Sequence, residues 1–219
     1  MEAGVCAVVG VGPGIGLAVA RRFGREGFRV AMLARSEEGL ERCRGELAGA
    51  GVEARPFVAD AGSPASLASA FASVRQALGE PSVLVYNAAV LRQGLPSALD
   101  PTEVVRELEV NVVGALVSAQ QVIPAMRAAR RGTLLFTGGG LALEPYPQFA
   151  SLSLGKAGIR SLTISMAKEL EPDGIHVATV TVCGFVKPGT HFDPDAIAEE
   201  YWKLHAQPAG SWERETTFR

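Results

Sequence analysis

The chain is 219 residues long, 47% hydrophobic and 20% charged, which supplies one sizeable core and does not require a second domain. Residues 1–219 are therefore read as a single domain. A formal charge of −2 without a basic cluster argues against nucleic acid or an anionic membrane as partner, because counterion release needs many Lys and Arg on one face.

In chain order, the apolar run Val5–Val9 reads as a first strand. It leads into Gly10-Val11-Gly12-Pro13-Gly14-Ile15-Gly16 and then into a helix whose apolar residues Ile15, Ala18, Val19, Ala20 and Phe23 recur at helical spacing. Strand, glycine turn and helix form a phosphate-binding layout: backbone N–H groups approach a pyrophosphate at the positive end of the helix. Pro13 fits near a helix start, where its missing N–H costs nothing. The spacing is Gly-x-x-x-Gly-x-Gly, and alone it is a modest signal.

Phe28–Ala34 reads as a second strand, and Glu37–Ala50 as a charged amphipathic helix closing at Gly51. Val52–Ala59 is a third strand ending at Asp60; Ser63-Pro64 opens the next helix; Ser82–Tyr86 is a short fourth strand. A long helical stretch from about Thr102 to Arg130 precedes a fifth strand, Thr133–Thr137. A helix over Ser153–Leu170 and a sixth strand over His176–Val182 follow. Nearly all-apolar strands separated by helices imply a parallel sheet covered on both faces, a Rossmann-like doubly wound α/β fold. Cys6, Cys43 and Cys183 are too few and too scattered for a disulfide frame or a zinc site and read as buried thiols, so no metal is expected. The first strand begins almost at Met1, and no uninterrupted apolar run has the length of a bilayer span, so a cytoplasmic protein is expected.

Open α/β sheets bind ligands beyond the carboxyl ends of their strands. A site selective for an unphosphorylated ribose carries Asp or Glu at the end of the second strand; this chain has Arg35-Ser36. A guanidinium pairs with a 2′-phosphate and Ser36 can donate a further hydrogen bond, which favours NADP(H) over NAD(H). Asp60 either accepts from an adenine amino group or caps the following turn. Asn87-Ala88-Ala89 is a small-residue turn, placed close to a ligand or packed tightly on the first strand.

Over residues 4–186 the chain resembles the short-chain dehydrogenase/reductase family. The matching residues are Gly10-x-x-x-Gly14-Ile15-Gly16 with Gly12 inside it, Asp60, Asn87-Ala88-Ala89, Asn111 in Val110-Asn111-Val112, and Lys156 in Gly155-Lys156-Ala157-Gly158. The resemblance implies a sheet order of 3-2-1-4-5-6-7 and hydride transfer between a nicotinamide and a carbonyl or hydroxyl carbon. It implies that Lys156 binds the nicotinamide ribose, and that Asn111 kinks its helix and anchors a proton-relay water. It also implies a homodimer paired through the helices at 102–130 and 153–170.

The chemistry departs from that pattern. The family motif is Tyr-x-x-x-Lys, and Leu152 stands four residues before Lys156. A serine is expected about thirteen residues before the tyrosine, where this chain has Gly138-Gly139-Gly140. Tyr146, His191, Ser151 and Ser153 are the nearby candidates to substitute. After the sixth strand the family's Pro-Gly-x-Val-x-Thr is Cys183-Gly184-Phe185-Val186-Lys187-Pro188, with Thr190 two places late. Backbone contacts to the nicotinamide carboxamide around Gly184 and Val186 persist in this reading, while the threonine contact has no residue in register to make it. Only 35 residues follow Gly184, read as a helix over about Pro194–Ala206 and a tail over Pro208–Arg219. The seventh strand is therefore expected to be absent, with 187–219 a short, atypical extension. Trp202, Trp212 and Phe218 pack over the sheet edge or against another subunit.

Two functions follow as expectations. One is an atypical or low-activity oxidoreductase using NADP(H) on an unknown small-molecule substrate. The other is a non-catalytic NADP(H)-binding sensor or partner subunit.

Overall fold

The structure is a computed structural model that describes residues 4–219. Seven strands alternate with seven α-helices: β1 (Val5–Val9), α1 (Ile15–Arg25), β2 (Arg29–Ala34), α2 (Glu37–Gly49), β3 (Ala54–Val58), α3 (Pro64–Leu78) and β4 (Val83–Tyr86). Then come α4 (Pro101–Leu108), α5 (Gly114–Ala129), β5 (Gly132–Thr137), α6 (Ala150–Leu170), β6 (Ile175–Val182), α7 (Pro194–His205) and β7 (Glu215–Phe218). They form one parallel sheet in the order β3-β2-β1-β4-β5-β6-β7.

Two apolar layers cover the sheet. On one face α3, α5 and α6 bury residues such as Phe71, Val122 and Leu170; on the other α1, α2 and α7 bury Phe23, Leu40 and Ile197. The central strands β1, β4, β5 and β6 are buried along their whole length, as expected of strands flanked by helices on both sides.

The expected absence of a seventh strand is wrong. Glu215–Phe218 pairs parallel to β6, with Thr179 opposite Glu215 and Val182 opposite Phe218. The strand is only four residues long, but Thr216, Thr217 and Phe218 suit a pleated surface. Glu215 fastens it: Arg160 of α6 donates through Nε and Nη2 at 2.7–2.9 Å, and Thr181 Oγ1 donates at 2.6 Å. Residues 187–219 thus contain a helix and an edge strand of the main sheet.

Two further differences, in α4–α5 and in α6, bear on the site. The helix over 102–130 is not uniform: a π-helical turn, Glu109–Val113, separates α4 from α5, and such turns often mark functional positions. By length and composition the continuous run Pro101–Ala129 could cross a membrane; in the fold its Ala115, Ala119, Val122 and Met126 belong to the core. Helix α6 begins at Ala150, so Leu152 lies inside it. The C-terminal aromatics pack on their own chain: Trp202 on Phe23 and Phe28, Trp212 stacked on His176, and Phe218 on Phe192 and His191.

Candidate functional site

The turn after β1 shows why glycine recurs there. Gly10 has φ +89°, and a Cβ on it would lie 2.4 Å from Ala88 N. A Cβ on Gly16 would lie 2.5 Å from the Gly10 carbonyl oxygen. These two glycines let the turn, α1 and the Asn87-Ala88 segment close on one another. Gly12 and Gly14 differ, since a Cβ on either meets nothing within 4 Å. They face open space beside the N-terminus of α1, which begins at Ile15 with no side-chain cap and no acidic residue in its first turn. Backbone N–H groups at the positive end of a helix dipole favour an anion at such a terminus.

Beside it lies a cleft of about 320 Å³ into which Gly10, Arg35, Asp60, Asn87, Ala88 and Ala89 converge. Arg35 is exposed and, among the described residues, pairs with no carboxylate. Ser36 caps α2, its Oγ accepting from Gly39 N–H at 3.0 Å; a hydroxyl that accepts retains its own proton to donate. Asp60 caps its own turn, with Oδ1 accepting from Gly62 N–H at 3.0 Å. The residues thus fit a dinucleotide: a helix end with room above two glycines, a guanidinium with no carboxylate partner among the described residues and a cleft between them.

The β5 end holds the remaining candidates. Lys156 is partly buried on α6, and its Nζ donates to the Thr137 carbonyl at 2.7 Å. Burial lowers its pKa from the ordinary 10.5 to about 8 because desolvation disfavours the charged form. Asn111 is buried in the π turn; its Oδ1 accepts from Val90 N–H at 2.7 Å, and Nδ2 lies 3.5 Å from Val90 O. Leu152 is 5% exposed. Gly138 and Gly139 are tightly enclosed: a Cβ on Gly138 would lie 2.6 Å from Thr179 Oγ1, and one on Gly139 3.3 Å from the Lys156 stem. Beyond β6, Gly184 packs against the Phe192 ring and Val186 is exposed.

The candidate replacements for an acid/base group are placed as follows. Tyr146 is 56% exposed. His191 hydrogen-bonds the backbone oxygen of Arg219 and stacks on Phe218, tying the loop after β6 to the chain end. Ser153 Oγ donates back to Phe149 O at 2.9 Å, and Ser151 is buried without a hydrogen-bond partner among the described residues. Both serines are buried, because α6 starts a turn earlier than its periodicity suggests.

Two features were not legible locally. Thr137, at the end of β5, accepts from Lys156 at its carbonyl and donates from its hydroxyl to Asn87 Oδ1 at 2.9 Å. Tyr201 of α7 brings its hydroxyl to 2.6 Å from Thr137 Oγ1. A rim of exposed apolar side chains, Leu91, Leu95, Leu143, Phe185 and Val186, lies on the loops following β4, β5 and β6.

The profile of the short chain dehydrogenase family matches residues 4–197. A relative from Xanthobacter autotrophicus, 2-(S)-hydroxypropyl-CoM dehydrogenase 3, is 31% identical over 80% of this chain and 69% of its own length. A metagenomic short-chain oxidoreductase solved in complex with NADP superposes with a TM-score of 0.89 at 30% identity, covering 98% of this chain and 96% of the other. A point variant of the actinorhodin polyketide ketoreductase, solved with NADPH, superposes with a TM-score of 0.92 at 27% identity, over 99% and 95% of the two chains.

Proposed function

The chain belongs to the short-chain dehydrogenase family, and we propose that it is an NADP(H)-binding oxidoreductase of atypical chemistry, working without the family's tyrosine and serine. The observation that carries the reading is the cleft joining Gly10, Arg35, Asp60 and Asn87 beside an uncapped helix N-terminus. In this reading the turn at Gly10, Gly12, Gly14, Ile15 and Gly16 receives the pyrophosphate, and Asp60, Asn87, Ala88 and Ala89 line the adenosine side. Arg35 and Ser36 receive the 2′-phosphate, which favours NADP(H) over NAD(H). Two of the similar structures are NADP or NADPH complexes.

A bound nicotinamide gives or takes a hydride; positioning and proton supply fall to the chain. In this reading Lys156 binds the nicotinamide ribose and brings a positive charge to that end. Asn111 holds the loop after β4 through Val90; Gly184 and Val186 would offer backbone contacts to the carboxamide. Leu152 and Gly139 occupy the positions of the family's acid/base and substrate-orienting residues, and neither has a proton to transfer. A positioned acid/base group contributes about 10²–10⁴ in rate, so simple ketones are poor substrates in this reading. The apolar rim at Leu91, Leu95, Leu143 and Phe185 suits an apolar small molecule. We further read residues 1–219 as one cytoplasmic domain that forms a homodimer through the helices at 102–130 and 153–170.

The test is thermal stability during separate titrations with NADPH and NADH. Ligand at 100 times Kd adds about 2.7 kcal/mol; no shift with either overturns the reading. Where NADPH binds, turnover of an aldehyde and ketone panel is compared with that of Lys156→Ala. Binding without any Lys156-dependent turnover identifies the alternative, a non-catalytic NADP(H) sensor or partner subunit.

A further inference from the structure

The fully buried hydroxyl of Tyr201 has no part in the function proposed above, yet it reaches the same site. Its Oη lies 2.6 Å from Thr137 Oγ1. The single hydroxyl proton of Thr137 is directed at Asn87 Oδ1, 2.9 Å away, so Tyr201 is the donor to Thr137. Asn87 in turn donates from Nδ2 to the Gly10 carbonyl at 2.9 Å. The result is one directed chain of hydrogen bonds running from α7, across the ends of β5 and β4, to the glycine turn after β1. Its polarity is unique: with Oδ1 engaged by Thr137, Asn87 presents an N–H to Gly10 O, whereas a flipped amide would set two acceptors against each other. The backbone carbonyl of the same Thr137 receives Lys156 Nζ at 2.7 Å.

We infer that Tyr201 is a positioning residue for the dinucleotide: acting through Thr137 and Asn87, its hydroxyl holds the Gly10 turn in the shape that receives the pyrophosphate. The inference rests on the cofactor reading above. Two observations set it apart from a packing role. Phenylalanine would fill the same space without bringing a hydroxyl into a fully buried position, where an unpaired one is costly. Helix α7 is also docked on α1 by other means, namely Arg21–Asp195 and Arg22–Glu199 ion pairs at 2.7 Å and the Arg22 guanidinium 4.7 Å over Trp202. The tyrosine hydroxyl is therefore not what keeps the helix in place.

The experiment measures the Kd for NADPH and the melting temperature of the free protein, for wild type, Tyr201→Phe, Asn87→Ala and the double variant. Tyr201→Phe is expected to raise Kd about fivefold, the equivalent of about 1 kcal/mol, with the free protein's melting temperature nearly unchanged. In the Asn87→Ala background the same substitution should have no further effect on Kd, since a residue acting through Asn87 is non-additive with it. Glu199→Gln, which loosens α7 without touching the chain of hydrogen bonds, should lower the melting temperature and leave Kd alone. An unchanged Kd in Tyr201→Phe, or effects that add fully to those of Asn87→Ala, overturns the inference while leaving the cofactor reading intact. A wild type that binds neither NADPH nor NADH overturns both. Should Tyr201→Phe fail to fold, Thr137→Val breaks the same link from β5 and is held to the same outcomes.

Discussion

The backbone of Gly139 lies against the side chain of Lys156, close enough that a Cβ on the glycine would sit 3.3 Å from Cγ, Cδ and Cε of the lysine. Lys156 Nζ meanwhile holds the carbonyl of Thr137, two residues earlier on the same segment. The lysine stem thus occupies the space over the glycine run, and its charged end is anchored at the last residue of β5. A serine at 139 therefore needs the lysine to shift by a few tenths of an ångström, which a flexible stem can do.

Introducing a tyrosine and a serine at the two positions where the proposed reading lacks them tests this arrangement. The double variant Leu152→Tyr with Gly139→Ser is expected to raise NADPH-dependent reduction of simple aldehydes by about 10²-fold, the lower end of what a positioned acid contributes. The larger residue at buried position 152 should cost about 1–3 kcal/mol of stability. Initial rates and melting curves check both, and a double variant that folds, binds NADPH and remains as slow as wild type would show that more than these two groups is missing.

Arg35 governs cofactor choice in the proposed reading. Arg35→Asp should weaken NADPH by about tenfold or more, the scale of a charge-assisted hydrogen bond, and leave NADH comparatively unaffected. Fluorescence titration with both nucleotides measures this, and equal weakening would contradict the assignment of the 2′-phosphate to Arg35.

The glycines of the turn should separate into two groups. Gly10→Ala is strained by φ +89° and meets the backbone of Ala88 at 2.4 Å, so the free protein should lose several kcal/mol or fail to fold. Gly12→Ala meets nothing within 4 Å and should melt within a few degrees of wild type while binding NADPH much more weakly. Retention of full affinity in Gly12→Ala would place the pyrophosphate elsewhere.

Burial of Lys156 predicts a pH dependence with a definite sign. Its pKa is about 8 in the fold against the ordinary 10.5, so between these values the unfolded chain binds more protons than the folded one. Stability contributed by this group therefore rises with pH from about 8 to about 10.5 and is lowest below 8, where the fold must hold a desolvated ammonium. Comparing melting temperature against pH for wild type and Lys156→Met isolates the contribution: the variant should be the more stable below about pH 8, and the difference should shrink above it. Parallel curves would mean that Lys156 is better solvated than its position implies.

The dimer proposal has a simple readout. Leu154 on α6 is 54% exposed, and Val105 and Val113 on the neighbouring helical run are also exposed. Leu154→Asp should shift the protein from dimer to monomer in sedimentation velocity. A wild type that sediments as a monomer at micromolar concentration would remove this face as an interface.

Strand and helix periods are local properties of a chain, so β1 through β6 could be read from residue order alone. The same holds for the gathering of the strand ends at Gly10, Arg35, Asp60 and Asn87 around one cleft. The proposal that Leu152 and Gly139 stand in place of the family's tyrosine and serine rests on residue order as well, because both are read at fixed spacing from Lys156. What depends on distant partners needed the folded molecule. Strand β7 is four residues whose pairing is secured by Arg160 and Thr181, and the β-propensity of so short a segment does not announce that. Ser151 and Ser153 are buried because α6 begins at Ala150 and packs on the π turn, and burial is a property of the neighbour as much as of the residue. Tyr201 lies 64 positions from Thr137, and a hydrogen bond between side chains that far apart exists only once β5 and α7 are folded together.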